Sequence, residues 1–173
     1  DNPNYVYLVI AVSSRFKGLY RSTNSGTSFT TRSTAPNILG YSNTGNDTKG
    51  QGWYDLDIAA SPLNKDEIFV IGINIWKSTN GGVAFTKMNN WSAPTAPSYT
   101  HADIHYLGFY NGKLFCGSDG GVYRSTNGGT NFTDLTATAQ ISQFYKIAVA
   151  KQTSANIVGG LQDNGGHAYS GGA

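Results

Sequence analysis

The segment GVYRSTNGGTNF, at residues 121–132, repeats a phrase that the chain has already used twice. GLYRSTNSGTSF stands at residues 18–29 and NIWKSTNGGVAF at residues 74–85. The three Ser-Thr-Asn triplets are separated by steps of 56 and 47 residues and begin at Ser22, Ser78 and Ser125. Steps of roughly 40–50 residues that contain several short strands are typical of the blades of a β-propeller, in which each blade is a four-stranded sheet.

Short apolar runs around the repeated phrases predict the strands, which we label A to D within each blade. The second repeat supplies all four, at residues 53–60, 67–71, 75–78 and 84–88. The third repeat also supplies four, at residues 103–109, 114–116, 122–125 and 131–135. The first segment supplies only B, C and D, at residues 5–12, 18–22 and 28–32. The last segment supplies A, B and a weaker C, at residues 144–150, 157–160 and 167–170.

No segment shows convincing helical periodicity, so the sequence predicts an all-β fold. The expected architecture is a β-propeller fragment with two complete four-stranded blades and two partial flanking blades, at residues 1–36, 50–92, 101–138 and 141–173. Closed propellers typically have about four to eight blades. We therefore expect the chain to be an internal slice of a larger propeller, whose remaining blades are its first partner.

Composition excludes several classes of function. Charged residues make up 13% of the 173 residues and the net charge is +2, so no nucleic-acid partner is expected. No window approaches the roughly 18 apolar residues of a membrane-spanning helix. The single cysteine, Cys116, lies in an apolar run and is expected to be a buried, unreactive thiol.

The repeated phrase has the chemistry of a turn between strands C and D. Ser and Asn side chains can accept hydrogen bonds from nearby backbone N–H groups, and Gly can adopt a positive φ. The pattern resembles the Asp-box, or BNR repeat, of sialidase-like and sortilin-like propellers, with Asn where Asp is usual. The residues that match it are Ser22, Asn24, Gly26 and Phe29, then Ser78, Asn80, Gly82 and Phe85, and finally Ser125, Asn127, Gly129 and Phe132. In that family the box is structural and lies away from any active site.

Further phrases resemble a large group of secreted bacterial BNR proteins of unknown activity. They are YDL at residues 54–56, HADIH at residues 101–105, DGG at residues 119–121 and QDNG at residues 162–165. The resemblance covers nearly the whole chain and implies an extracellular or cell-surface location.

The chain direction predicts where a binding site would lie. If the box turns share one face of the propeller, the starts of the A strands and the B–C turns share the other, which we call the top face. There the repeat varies in its polar residues, and the candidates are His101, Asp103, His105, Asp55, Asp57, Asp119, Asp163 and Asn164. His101, Asp103 and His105 alternate, so in a continuous strand they would point to one side. Hydrogen bonding between blades, ligand binding and metal binding all remain open, with the structural alternative favoured and no metal or cofactor predicted.

Aromatic residues offer stacking surfaces for sugars. Trp53, Tyr54 and Tyr110 are candidates, but aromatic residues in strands are more often part of the core. Trp91 and Tyr99 lie in the connection NNWSAPTAPSYT, residues 89–100, whose prolines indicate an ordered, exposed loop. The sequence therefore favours Trp91 and Tyr99 as the ligand-contacting aromatics.

Two functions compete, and a third, a surface-adhesion or secretion-cargo role, is not separated from the first by the sequence. The first is a non-catalytic propeller module of a secreted or cell-surface protein, which binds a glycan or a protein, such as a cell-surface protein, or acts as a scaffold. The second is a slice of a glycoside hydrolase, whose two carboxylates would come from the top-face aspartates. Sialidase-like enzymes also use an arginine cluster, whereas Arg21 and Arg124 here directly precede the box at the opposite end.

Overall fold

The computed structural model describes residues 2–139, 142–163 and 165–171. The chain consists of two compact units, Asp1–Leu135 and Thr136–Ala173. Among the described residues, fourteen β-strands account for nearly all of the regular structure, and the one helix, α1 at Thr136–Ala139, has four residues. The predicted all-β fold class is confirmed.

The first unit contains three antiparallel sheets, each formed by strands that follow one another along the chain. The first sheet has the order β1-β2-β3, with strands at Val6–Val12, Arg15–Ser22 and Thr30–Ser33. The second has the order β4-β5-β6-β7, with strands at Asp57–Ala60, Ile68–Ile71, Ile75–Ser78 and Thr86–Lys87. The third has the order β8-β9-β10-β11, with strands at Ile104–Tyr110, Lys113–Ser118, Gly121–Ser125 and Thr133–Asp134. These are the predicted three-stranded partial blade and two complete blades.

The second sheet is buried on both faces because each face packs against a neighbouring sheet. Phe69, Ile71 and Ile75 form one cluster with residues of the third sheet that include Ile104 and Leu114. Ile68, Val70 and Trp76 form another cluster with residues that include Phe16 and Leu19 of the first sheet. This is why Ile68–Ile71 reads as a continuous apolar run rather than an alternating one. Cys116 belongs to the first cluster and is fully buried, as predicted.

The three box turns share one hydrogen-bond pattern. In each, the serine hydroxyl donates to the asparagine Oδ1, over 2.7 Å at Ser22, 2.9 Å at Ser78 and 3.0 Å at Ser125. The same serine oxygen accepts the backbone N–H of the box glycine at 2.8–2.9 Å. The glycines take positive φ values of 87° at Gly26, 87° at Gly82 and 85° at Gly129. The turn chemistry predicted from the repeated phrase is therefore present.

The second and third box turns also contact the preceding sheet. Arg32 on β3 donates from Nε to the Gly81 carbonyl at 2.8 Å, and Lys77 on β6 donates from Nζ to the Gly128 carbonyl at 3.3 Å. A Cβ atom on Gly82 would overlap the buried Leu19 side chain, whereas one on Gly26 would meet no atom within 4 Å. The repeated phrase thus joins neighbouring sheets as well as closing a hairpin.

The second unit contains one three-stranded antiparallel sheet of order β12-β13-β14, at Phe144–Val149, Asn156–Leu161 and Gly166–Ser170. These strands correspond to the predicted A, B and C of the last partial blade. Large apolar side chains of this sheet are exposed, including Phe144, Tyr145, Ile147 and Tyr169.

Candidate ligand-binding site

The start of β8 and the turn between β9 and β10 meet at one end of the third sheet. The Asp119 N–H donates to the Asp103 carbonyl at 3.2 Å. The Ile104 N–H donates to the carbonyl of Gly72, in the β5–β6 turn of the second sheet, at 3.0 Å. The A-strand starts and B–C turns of these two sheets therefore lie together, as the chain direction predicted.

The predicted alternation of His101, Asp103 and His105 along one strand is wrong. Strand β8 begins only at Ile104, and Asp103 has a φ of 56°, which no β-strand residue adopts. A register shift between Ile104 and Tyr106 adds an irregularity at His105. The three side chains consequently make three different sets of contacts.

Asp119 is the centre of a hydrogen-bonded chain that crosses from the second sheet to the third. Its Oδ2 accepts the hydroxyl of Tyr54 at 2.8 Å, and its Oδ1 lies 2.8 Å from Nε2 of His105. The Tyr54 and His105 rings also meet edge to face, with centroids 4.8 Å apart. These contacts bring together residues that are 65 positions apart in the sequence.

Asp103 makes a second polar link between the same two sheets. Its Oδ1 accepts the side-chain N–H of Gln51 at 2.5 Å. The positive φ of Asp103 is uncommon for a residue other than glycine, and such conformations cluster at functional sites.

Asp55 is only 1% exposed and is near enough to Asp103 and Asp119 to feel their charges. Both of its carboxylate oxygens are buried and neither has a partner in ideal hydrogen-bond geometry, although the Gln51 side chain and the Asp55 backbone N–H are near enough to lower its pKa. Burial, followed by the nearby charge of Asp103, raises the pKa of Asp55 from 3.8 to about 7. The charge of Asp119 also raises this pKa. Asp55 is therefore a buried carboxyl whose proton is lost only near neutral pH rather than near pH 4.

Asp57 has both carboxylate oxygens engaged by backbone groups. Oδ1 accepts the N–H of Ile58 at 2.8 Å, and Oδ2 accepts the N–H of Leu107 in the third sheet at 3.1 Å. These contacts fix the start of β4 against β8. They agree with the structural alternative for Asp57, in which it hydrogen-bonds between blades.

His101 lies against the glycine turn rather than over the aspartates. Its Nδ1 is 3.0 Å from the carbonyl oxygen of Ala102, and its ring fills the space beside Gly120. A Cβ atom on Gly120 would overlap that ring, so this close packing requires glycine.

The three aromatic candidates Trp53, Trp91 and Tyr99 differ in exposure and in contacts. Trp53 is 75% exposed, and its ring centroid is 5.4 Å from that of Tyr54. Trp91 is half-buried, and Tyr99 packs edge to face on Tyr123 at 5.9 Å beside the core. Exposure thus singles out Trp53 as the accessible indole face at this end of the sheets.

We call this group the seam site, since it joins the second and third sheets; it consists of Gln51, Trp53, Tyr54, Asp55, Asp103, His105 and Asp119. Sequence reasoning did not include Gln51. The only signal was its place two residues before the predicted A strand at residues 53–60. In the structure that strand, β4, begins only at Asp57, so Trp53 and Tyr54 lie in the turn before it together with Gln51.

Two further candidates belong to the second unit. Asp163 has a φ of 54°, and its Oδ2 accepts the side-chain N–H of Gln162 at 2.5 Å. Asn164 lies outside the described residues. Binding roles for both remain predictions.

Within residues 2–139, 142–163 and 165–171, no three His, Cys, Asp or Glu side chains are placed to hold a metal ion. None of the described helices has the length and apolarity needed to cross a membrane.

Comparisons with known proteins support the fold. No protein-family model and no curated protein matches the chain. A GH74 enzyme of Niastella koreensis is similar in structure, with a TM-score of 0.55 and 22% identity over 97% of this chain. YCF48 from Cyanidioschyzon merolae is similar with a TM-score of 0.51 and 18% identity over 91% of this chain. The chain spans 27% of the first protein and 46% of the second. Similarity at this level concerns the fold, and the chain has the fold of a β-propeller fragment.

Proposed function

We propose that the chain is a non-catalytic β-propeller module of a secreted or cell-surface protein and that it binds a glycan at the seam site. The observation that carries this proposal is the 75% exposure of Trp53 next to the hydrogen-bonded chain of Tyr54, Asp119 and His105. Ligand sites typically combine aromatic surface with a few well-placed polar groups. A sugar ring presents an apolar face for stacking and hydroxyl groups for carboxylate and imidazole partners.

The polar groups of the seam site are held in place before any ligand arrives. Both oxygens of Asp119 are engaged, which fixes its orientation, and the Tyr54 ring is held by His105 as well as by the hydroxyl bond. Little side-chain entropy would then be lost on binding. His105 keeps 38% of its side-chain surface exposed and Asp119 keeps 15%, so both remain within reach of a ligand.

The burial of Asp55 favours binding over catalysis. A glycosidase needs a general acid that reaches the glycosidic oxygen. Both Asp55 oxygens are enclosed by protein, so the one seam carboxyl with a raised pKa does not reach a substrate.

A glycoside hydrolase slice is the second candidate, and one observation favours it. Asp55, with a pKa raised to about 7, lies near the charges of Asp103 and Asp119, and glycosidases pair a protonated with an ionised carboxyl. The test is product formation from β-linked oligosaccharides by the wild type and Asp55→Asn. Turnover by the wild type that Asp55→Asn abolishes would establish the enzyme, whereas binding without turnover supports the module.

The rest of a longer propeller is the other proposed partner. Alternate residues of β1 face away from the second sheet and are exposed, namely Val6 at 36%, Leu8 at 43% and Val12 at 54%. The second sheet buries both of its faces against neighbours, so an apolar outer face on the first sheet is suited to one more blade.

The proposal is tested by glycan-array binding followed by calorimetry with Trp53→Ala. The matched control is Tyr110→Ala, since Tyr110 is 69% exposed and lies at the far end of β8. We expect Trp53→Ala to weaken binding by about tenfold or more, given about 1–3 kcal/mol for a stacked aromatic in a binding site. We expect Tyr110→Ala to bind like the wild type. Equal affinity for both variants, or no glycan bound by the wild type, would contradict the proposal.

A further inference from the structure

Strand β1 is an edge strand that pairs on one side only within the described part of the chain. The first sheet has the order β1-β2-β3, so β1 pairs with β2 alone. In the two complete sheets the same place, next to the strand that leads into the box, belongs to β5 and β9. Each of these is paired on both sides, β5 with β4 and β6, and β9 with β8 and β10. The first sheet therefore has a position for one more strand beside β1.

The sequence of β1 lacks the features that usually keep an edge strand from pairing. Edge strands of soluble proteins typically carry charged residues or proline, or are very short. Strand β1 has seven residues, Val6–Val12, and reads VYLVIAV, with neither a charged residue nor a proline. Its one irregularity is a register shift between Ile10 and Ala11, so the pairing with β2 is regular over Val6–Ile10. This regular segment is suited to accept a partner strand.

The side chains of β1 indicate which chemistry the added strand brings. Val6 is 36% exposed and Leu8 is 43% exposed, and both lie on one face of the sheet because alternate residues of a strand do so. Tyr7 and Val9 lie on the other face and pack against the core between the first and second sheets. A strand beside β1 consequently needs apolar side chains at alternate positions to extend the surface of Val6 and Leu8.

The complete sheets supply the pattern for this strand. Strand β4 pairs with β5 in antiparallel register from Asp57↔Ile71 to Ala60↔Ile68, and β8 pairs with β9 in the same sense. The two strands β4 and β8 have four and seven residues. A strand beside β1 would therefore continue an arrangement that the chain uses twice.

We propose that β1 is a strand-addition site that takes one extended segment of the longer propeller, antiparallel to Val6–Ile10 and with apolar side chains at alternate positions. This inference rests on the proposed function, in which the chain is a module of such a propeller. Strand addition gains affinity from main-chain hydrogen bonds and specificity from alternate side chains. The added strand gives the first sheet the four strands of the complete sheets and pairs the N–H and C=O groups on the outer edge of β1.

The test adds a synthetic peptide to the whole chain. The peptide has the sequence of residues 102–111, ADIHYLGFYN, which includes all of β8. Two further peptides carry N-methyl groups, one at residues 106, 108 and 110 and the other at residues 105, 107 and 109. Because only alternate N–H groups of a strand point towards a given neighbour, one N-methylated peptide should bind about tenfold more weakly or worse, while the other binds like the parent. Fluorescence anisotropy of the labelled peptides measures all three affinities.

A variant of the chain assigns the peptide to β1. Leu8→Glu places a charge on the exposed face of β1 and should weaken binding by about tenfold or more, because charged residues protect edge strands from pairing. Val83→Glu is the matched control, since Val83 is 51% exposed and lies in the second box turn, and it should bind like the wild type. Amide hydrogen exchange of the wild type needs no variant. The peptide should slow exchange at alternate residues within Val6–Ile10.

The outcomes separate strand addition from glycan binding. Equal affinities for the three peptides, no saturable peptide binding, or protection of an edge strand other than β1 would overturn the inference, while a glycan bound by the wild type would still stand. Specific peptide addition without any bound glycan would support the inference and contradict the glycan proposal. Sedimentation of the chain alone tests a second copy as the occupant. A dimer that Leu8→Glu dissociates would assign the edge to that copy and would overturn the inference.

Discussion

Replacement of Gly82 by alanine tests whether the box turn joins neighbouring sheets. Gly82 and Gly26 occupy the same position in two copies of the box and share a φ of 87°. A Cβ atom on Gly82 would overlap Leu19 Cδ2 of the first sheet, and Leu19 is 0% exposed, so it has no room to move aside. A Cβ atom on Gly26 would meet nothing within 4 Å. Gly26→Ala is therefore the matched control for backbone strain.

The two variants separate strain from packing. Both alanines must adopt a left-handed backbone conformation, which destabilises each variant by about 1–2 kcal/mol. Gly82→Ala adds the cost of overpacking a filled core, about 1–3 kcal/mol. We expect the free energy of unfolding to fall by about 1–2 kcal/mol in Gly26→Ala and by about 2–5 kcal/mol in Gly82→Ala.

Urea denaturation followed by tryptophan fluorescence measures both losses, and the slope m reports whether the surface exposed on unfolding has changed. Equal losses in the two variants at equal m would refute the reasoning, because the box would then be a hairpin turn with no function between sheets.

Three further predictions follow from buried groups. Gly129→Val should lower the free energy of unfolding by about 1–3 kcal/mol, because a β-branched residue fits poorly at a φ of 85°. Glycan binding by the folded fraction should be unchanged. An unaltered melting curve together with lost binding would show instead that the box binds the ligand and does not stabilise the fold. Asp55 ionises near pH 4 when unfolded but keeps its proton to about pH 7 when folded, so its contribution to stability falls as pH rises between those values. Asp55→Asn should therefore gain about 1–4 kcal/mol relative to wild type between pH 4 and pH 8, measured by denaturation at both pH values, and a constant difference would contradict this. Burial raises the pKa of the Cys116 thiol to about 12, so a thiol reagent should label the folded protein far more slowly than the protein in urea, and equal rates would show that the thiol is exposed.

The repeated fold elements could be predicted because they are local. Each box places its serine, asparagine and glycine within five residues, so the hydrogen bonds that close the turn can be predicted from the sequence. The continuous apolar run of β5 likewise indicates a strand covered on both faces.

The seam site could be predicted only in part, because its contacts join distant segments. The aspartates were identified, but the Tyr54 partner of Asp119 lies 65 residues away and the Gln51 partner of Asp103 lies 52 residues away. No turn pattern encodes such pairs. The alternation argument for His101 and His105 failed because Asp103 takes a positive φ and the strand starts one residue later.

The most direct test of ligand binding at the seam site is a titration of the ¹⁵N-labelled protein with the glycan that the array identifies, followed at the tryptophan indole N–H signals. The chain has three tryptophans, and they differ in place and exposure. Trp53 is 75% exposed at the seam site, Trp76 is 3% exposed between sheets, and Trp91 is half-buried in the 89–100 connection. Binding at the seam site predicts a saturable shift of the Trp53 signal while the Trp76 and Trp91 signals stay in place. A shift of Trp91 without Trp53 would place the ligand on the connection, and saturation of no indole signal would contradict binding at the seam site.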